Sequence, residues 1–117
     1  MIQRSTYLFS LILVATLFSC SGSADINSGD AAFAKGDFSA AVTAYTEDLK
    51  TNPSDIDLLF GRGRAYQELG KLQEAQADFE QALNSDAKNF QVLLSLATLQ
   101  LEQKNYASAL LYATQAE

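Results

Sequence analysis

Apolar residues in the middle of the chain recur with the spacing of one face of an α-helix. A first stripe predicts a helix over about residues 56–69, and its members are Leu59, Tyr66 and Leu69. A second stripe predicts a helix over about residues 72–85, and its members are Ala75, Phe79, Ala82 and Leu83. Gly70 lies between the two, and glycine readily adopts the left-handed conformation that ends a helix. No run of strictly alternating apolar and polar residues indicates a strand.

This pattern recurs about every 34 residues along the chain. Similar residue types return in five columns, which are Gly36, Gly70 and Lys104; Phe38, Leu72 and Tyr106; Ala41, Ala75 and Ala109; Gly29, Gly63 and Ala97; and Asp48, Ala82 and Ala116. Columns that agree on one period predict tandem units, each a pair of antiparallel helices. Small residues such as Gly63 and Ala75 are expected where the two helices approach closely, with the rings of Tyr66 and Phe79 filling the space beside them.

These columns resemble the tetratricopeptide repeat family, whose period is about 34 residues. The middle unit, residues 56–89, is the most similar and carries the family's residue types at Gly63, Tyr66, Leu69, Gly70, Ala75, Phe79 and Ala82. The other two units depart from the family's residue types. The first, about residues 22–55, departs at Ala32 and Asp48. The incomplete third, residues 90–117, departs at Gln100, Lys104 and Ala113. The resemblance implies an all-α fold for residues 25–117, an α-solenoid of antiparallel helix pairs that binds other proteins.

Residues 1–19 have a different pattern. They contain one basic residue, Arg4, followed by a run from Tyr7 to Phe18 that is apolar except for one Ser and one Thr. A helix of this length reaches about 18 Å, which is short of a hydrocarbon core of ~30 Å. The run is therefore interpreted as the core of a signal peptide, which marks the chain for export. A buried helix of the folded domain is the alternative interpretation.

The signal peptide ends in Leu17–Cys20, which resembles the lipobox of bacterial lipoproteins. The resemblance implies cleavage after Ser19 and acylation of Cys20 with diacylglycerol and palmitate, so that residues 20–24 are the lipidated cysteine and a flexible linker. Ser21 stands where Asp would indicate retention at the inner membrane. We therefore expect an exported, lipid-anchored protein of the bacterial cell envelope, at the outer membrane if the cell has one. Ordinary secretory cleavage nearby is the alternative.

The first helices of successive units line a concave groove in the resembling family. The resemblance therefore implies a peptide groove lined by Asp30, Phe33, Asp57, Phe60, Arg64, Gln67, Glu68, Gln91, Leu94, Thr98, Leu101 and Glu102. Phe60, Leu94 and Leu101 are the apolar anchors of this wall, and Arg64 is a directional donor. The alternative is that several of these side chains contact one another instead of a partner. Some members clamp a C-terminal carboxylate with Lys, Asn and Arg, but here those positions read Ile26, Asp30, Gly61, Gln91 and Ser95.

Charge and composition exclude several function classes. The chain has 14 acidic and 8 basic residues, a net charge of −6, and no cluster of Lys and Arg. This balance disfavours nucleic acid and anionic lipid headgroups as partners. The chain has no His and only one Cys, so the usual metal ligands and the usual general base are lacking. The acidic pair Asp55 and Asp57 lies where a helix begins, as capping residues do, so no enzyme activity, cofactor or metal is expected.

The resulting hypothesis is a membrane-tethered protein-interaction module that serves as an adaptor or assembly factor for a cell-envelope complex. Two alternatives stay open. The first is a self-associating structural scaffold, since the predicted last helix, about residues 106–117, presents apolar side chains with no capping helix after it: Tyr106, Leu110, Leu111 and Tyr112. The second is that the chain is the N-terminal fragment of a larger repeat protein.

Overall fold

The computed structural model describes residues 27–117, and the predicted signal peptide, the lipidation site Cys20 and the linker lie outside the described residues. The described part contains six α-helices: α1 (Ser28–Ala34), α2 (Phe38–Thr51), α3 (Ile56–Glu68), α4 (Leu72–Ser85), α5 (Phe90–Glu102) and α6 (Tyr106–Gln115). Residues 27–117 contain no strand, and none of their helices is long and apolar enough to cross a membrane. The predicted all-α fold is confirmed, with α6 ending two residues before Glu117.

Polar side chains fix where most of the helices begin. The side-chain oxygens of four residues accept backbone N–H groups of the first helical turn, which stabilises helix starts; these residues are Asn27, Asp37, Asp55 and Asn89. The capping role expected of Asp55 is thus confirmed, because its Oδ1 accepts from the N–H of Leu58 at 3.0 Å. The preceding residues of α4 and α6, Lys71 and Asn105, make no such bond.

The first helix of each unit ends in the same tight turn. Gly36 and Gly70 have φ angles of 78° and 74°, as the sequence predicts for Gly70, and Lys104 holds the third equivalent position with φ 62°. After each turn a backbone N–H returns to a carbonyl inside the helix, for example from Lys71 to Tyr66 at 2.9 Å. This is the bond of a helix-ending motif that favours glycine, so Lys104 is strained where its two counterparts are not.

The helices pack in chain order as antiparallel neighbours, and each pair also packs on the next pair. Glycines at two positions allow a neighbouring ring to approach the helix backbone closely. A Cβ on Gly63 would lie 2.6 Å from Phe79 Cε1, and one on Gly61 would lie 2.6 Å from Tyr45 Cζ. Phe79 and Tyr45 are almost completely buried at these contacts. The predicted close approach at Gly63, filled by the ring of Phe79, is therefore confirmed.

A hydrogen-bonded ion pair joins the two helices of the second unit. Arg62 of α3 donates from Nε and Nη2 to the two carboxylate oxygens of Asp78 in α4, at 2.8 Å and 2.7 Å. Its Nη1 also donates to Thr46 Oγ1 of α2 at 3.2 Å. The bonds to Asp78 raise the pKa of Arg62 above its usual value. The guanidinium of Arg62 in α3 therefore bonds to both neighbouring helices, α2 and α4, in a largely buried position.

Candidate peptide-binding groove

The first helices of the first two units enclose a depression of about 290 Å³. Five of the residues predicted to line a groove come together there, and they are Asp30, Phe33, Asp57, Phe60 and Arg64. Asp30 and Phe33 belong to α1, whereas the other three belong to α3. Ala34, Tyr45 and Gly61 complete the lining. The helical spacing that places these residues on one face of each helix thus brings them to one site.

Arg64 lies against the two aromatic side chains of this depression. Its guanidinium carbon is 4.7 Å from the ring centroid of Phe33 and 5.9 Å from that of Phe60. These distances are those of cation–π contacts, which hold the guanidinium plane over the ring. No carboxylate within residues 27–117 forms a salt bridge with Arg64, and the residue is exposed. Its N–H donors therefore remain available to an acceptor on a bound peptide.

Tyr45 of α2 forms the floor between α1 and α3. Its ring fits there because both neighbouring positions lack a side chain, as added Cβ atoms on Gly29 and Gly61 would lie 2.5 Å and 2.6 Å from it. The Tyr45 hydroxyl donates a short hydrogen bond to Asp30. Burial raises the pKa of Tyr45 well above its usual value, and the hydrogen bond to Asp30 makes a smaller contribution in the same direction. Tyr45 therefore stays a neutral donor that holds the carboxylate of Asp30 in place.

A second depression, of about 540 Å³, adjoins the first and shares Asp30 and Asp57 with it. Four carboxylates and no basic side chain line it, and the full lining is Asn27, Asp30, Asp48, Thr51, Asn52, Asp55, Asp57 and Leu58. Asp55 is engaged as the cap of α3. Carboxylates gathered on one side give this end of the groove a negative potential. Within residues 27–117 no group of three or more His, Cys, Asp and Glu is arranged to hold a metal ion.

The remaining predicted groove residues are not part of this site. Leu94, Thr98 and Leu101 line a separate hollow of about 330 Å³ between α5 and α6. Gln67 and Glu102 bond to each other instead, with 2.7 Å between Nε2 and Oε1. The exposed residues Glu68 and Gln91 line neither the depression at Arg64 nor the hollow. Ten of the twelve residues therefore form two sites and one inter-unit contact, where the sequence predicts one continuous groove.

Sequence reasoning missed two parts of the first site. It assigned no part of the site to Tyr45, whereas the structure makes its ring the floor and its hydroxyl the partner of Asp30. It also considered Gly61 only as a missing clamp residue. The available signal was that Gly61 is a glycine inside a helix outside the repeat columns, with Asn27 and Ser95 at the equivalent places. A glycine in a helix interior lowers stability unless close packing requires it.

Family models identify the same architecture. A model described as "Tetratricopeptide repeat" matches residues 60–117, and one described as "TPR repeat" matches residues 29–70, so the two span the six helices. The chain belongs to the tetratricopeptide repeat family. As a member of this family it is a protein–protein interaction module.

Several known tetratricopeptide repeat proteins are similar to this chain over part of their length. The chain is 32% identical to the protein SGT1 homolog of Oryza sativa subsp. japonica over 83 residues, which are 69% of this chain and 23% of that protein. It is 36% identical to Hsp70-Hsp90 organizing protein 1 of Glycine max over 55 residues, 47% of this chain and 10% of that protein. The chain thus spans less than a quarter of either relative.

Solved tetratricopeptide repeat domains have the same arrangement of helices. The TPR2B domain of yeast Sti1, solved as a complex with pHsp70, superposes with a TM-score of 0.73 at 36% identity, covering 76% of this chain and 71% of that one. The Sgt2 TPR domain from Aspergillus fumigatus superposes with a TM-score of 0.72 at 27% identity, covering 75% of this chain and 58% of that one. The predicted α-solenoid is therefore confirmed for the described residues.

Proposed function

We propose that this chain is a membrane-tethered adaptor or assembly factor that recruits another protein to a complex of the bacterial cell envelope. The observation that carries the proposal is the depression between α1 and α3, where Phe33, Phe60 and Arg64 are accessible together. Accessible aromatic rings beside an arginine are typical of interface residues that contribute most to binding. The chain catalyses no reaction and acts through recognition alone.

The partner presents an extended or helical peptide with at least one apolar side chain. That side chain packs against Phe33 and Phe60, and a carbonyl or carboxylate oxygen of the peptide accepts from Arg64. Because Tyr45 and the two glycines beside it fix the floor, the site is preformed, and little ordering is needed on binding. Solved relatives support a peptide ligand, since the TPR2B domain of yeast Sti1 is found in complex with pHsp70.

The tether is a lipid on Cys20. The support for it is the sequence Leu17–Cys20 at the end of a short apolar run. Two or more acyl chains anchor a protein stably to a bilayer. The polypeptide itself, with a net charge of −6, has no electrostatic attraction to anionic headgroups. The short linker that ends at Ala24 then keeps the domain close to the bilayer, at the outer membrane in cells that have one.

Peptide selection tests the recognition part of the proposal. A displayed library of random peptides is selected on the chain without residues 1–19, and selected peptides are measured against two variants. We expect Phe60→Asp to weaken binding at least about tenfold, which corresponds to 1.4 kcal/mol. Thr43→Asp, which adds the same charge at an exposed position of α2 outside the depression, leaves binding unchanged. Peptides that bind both variants equally would contradict the proposed site.

Lipid labelling tests the tether separately. The full chain is expressed in a bacterial host with labelled palmitate, and the membrane fraction is isolated. We expect the unaltered chain and a Ser23→Ala control to carry the label and stay with the membrane. We expect Cys20→Ala to lose both the palmitate label and its association with the membrane. A Cys20→Ala chain that stays with the membrane would show that the anchor is elsewhere.

We also propose self-association as a second function of the same chain. The observation that favours it is the distribution of exposed large apolar side chains within residues 27–117. Nearly all of them belong to the third unit: Phe90, Leu94, Leu101, Tyr106, Leu110 and Leu111. Four of them, Leu94, Leu101, Tyr106 and Leu110, line one hollow between α5 and α6. An exposed apolar patch is typical of protein–protein contact.

A further inference from the structure

Asp48 carries a charge from which its own helix gains no stability. It lies in the last turn of α2, beside the partial negative charge of the helix C-terminus, where a carboxylate is unfavourable. The same column holds Ala82 and Ala116 in the later units, and Ala82 is fully buried. Asp48 is half-buried and forms no salt bridge within residues 27–117. Its charge therefore has no compensating cation in the part of the chain that the structure describes.

Two further carboxylates line the same space from the neighbouring helices. Asp30 of α1 and Asp57 of α3 line both depressions, whereas Asp48 of α2 lines the second only. Among the described residues, neither Asp30 nor Asp57 forms a salt bridge, and no such group is arranged to hold a metal ion. Carboxylates of three helices around one open space suit a cation long enough to reach several of them. A lysine or arginine side chain of a partner has that form.

The charges and one of the aromatic rings follow one another along one face of α3. Asp57, Phe60 and Arg64 are spaced by three and then four residues, which places them on the same side of the helix. At a rise of 1.5 Å per residue, Asp57 and Arg64 are about 10 Å apart along the helix axis. An extended peptide covers that distance in about three residues. The groove therefore presents an acidic end, an aromatic middle and a basic end to a single short segment.

We propose that the segment bound in this groove carries a lysine or arginine about three residues from the group that accepts from Arg64, with an apolar side chain between them. This inference rests on the proposed function and specifies the ligand chemistry of the same site. The basic side chain enters the second depression, beside Asp30, Asp48 and Asp57, and the apolar side chain packs against the aromatic rings. An acidic segment is repelled at this end, because like charges brought together raise the free energy of the complex.

Competing peptide libraries test this charge preference. Three displayed libraries have uncharged random positions and differ only at one fixed residue, which is Lys, Gln or Glu. They are mixed in equal amounts and selected on the full chain in an uncharged detergent. The double change of Asp48→Asn with Asp57→Asn removes two charges with little change in shape. Its matched control is Glu74→Gln with Glu117→Gln, which removes two charges at exposed positions outside both depressions. Circular dichroism confirms that the variants keep their helices.

The result expected is that the selected peptides carry the lysine, and that its replacement by glutamine weakens binding at least about tenfold. The double change at Asp48 and Asp57 should weaken the lysine peptides by a similar factor without weakening their glutamine counterparts. The control should weaken neither. A lysine preference that survives the double change would overturn the assignment of these carboxylates.

The neutral change Phe60→Ala separates this inference from the proposed function. Selected peptides that Phe60→Ala weakens, but that show no preference for lysine, would overturn the charge preference and leave the groove as the binding site. Peptides that Phe60→Ala does not weaken, or a selection that yields no binding peptide, would overturn both.

Discussion

Arg62 and Asp78 form a two-pronged ion pair between α3 and α4, with nitrogen–oxygen distances of 2.8 Å and 2.7 Å. Asp78 is among the few buried polar residues of the described chain. In the third unit the equivalent places hold Leu96 and Tyr112, so this pair is a feature of the second unit. The free-energy cost of removing both charges from water offsets much of the attraction within such a pair. A lone buried carboxylate carries the same kind of cost with no attraction to offset it.

Removal of one partner should therefore destabilise the fold more than removal of both. We expect Arg62→Leu to lower the free energy of unfolding by about 3 kcal/mol, because Asp78 is left buried and unpaired. The double change of Arg62→Leu with Asp78→Leu should recover most of that loss. Urea denaturation of the chain without residues 1–19 measures both values. A double variant less stable than Arg62→Leu would contradict this interpretation.

The close contact of Gly63 with Phe79 makes a second prediction. In an ordinary helix interior, alanine is more stable than glycine by about 1 kcal/mol. Here the added Cβ would lie 2.6 Å from Phe79 Cε1, so we expect Gly63→Ala to destabilise by about 2 kcal/mol through overpacking. Addition of Phe79→Leu should relieve the overlap. Thermal denaturation of the single and double variants checks the sign, and a stabilised Gly63→Ala would refute the packing described.

The left-handed backbone at Lys104 predicts a stabilising substitution. Its φ of 62° matches those of Gly36 and Gly70, and a side chain is unfavourable in that conformation. We expect Lys104→Gly to stabilise the fold by about 1 kcal/mol. Lys35→Gly, at an exposed position with φ −79°, serves as the control and should be destabilising. Thermal melting measures both variants. Equal changes in melting temperature for Lys104→Gly and Lys35→Gly would contradict the strain described at Lys104.

The raised pKa of Tyr45 predicts a loss of stability in alkali. Below pH 10 the phenol is neutral in both the folded and the unfolded chain. Above pH 10 the unfolded chain releases this proton and the folded chain retains it, so stability falls as pH rises. Tyr45→Phe should therefore be less stable by about 1 kcal/mol at pH 7 and less sensitive between pH 9 and pH 11. The exposed Tyr106→Phe is the control, and equal alkaline slopes in both variants would contradict the role given to Tyr45.

The helices and their order could be predicted from the sequence because they depend on local spacing. The apolar stripes locate α3 and α4 to within a residue, and the turn at Gly70 follows from glycine's backbone freedom. The ion pair of Arg62 could not be predicted in this way. Its partner is 16 residues away in a different helix, and the contact depends on how the two helices pack.

The candidate site could be predicted only in part for a similar reason. The family resemblance assigns Phe33, Phe60 and Leu94 to one groove, but it does not say where a depression forms. That depends on side-chain volume at distant positions. The ring of Tyr45 fills the space between α1 and α3, whereas Ala113 leaves the corresponding space in the third unit open. The departure at Ala113 is visible in the sequence, and its consequence is visible only in the packed structure.

The most direct test of the account is in-cell photo-crosslinking from the depression between α1 and α3. A photoreactive aromatic residue replaces Phe60 in the full chain, and adducts are identified by mass spectrometry. The control carries the same residue at Glu47, an exposed position of α2. We expect a discrete adduct with another envelope protein from position 60 and none from position 47. Adducts that are the same from both positions, or that contain only this chain, would contradict the groove as the partner-binding surface.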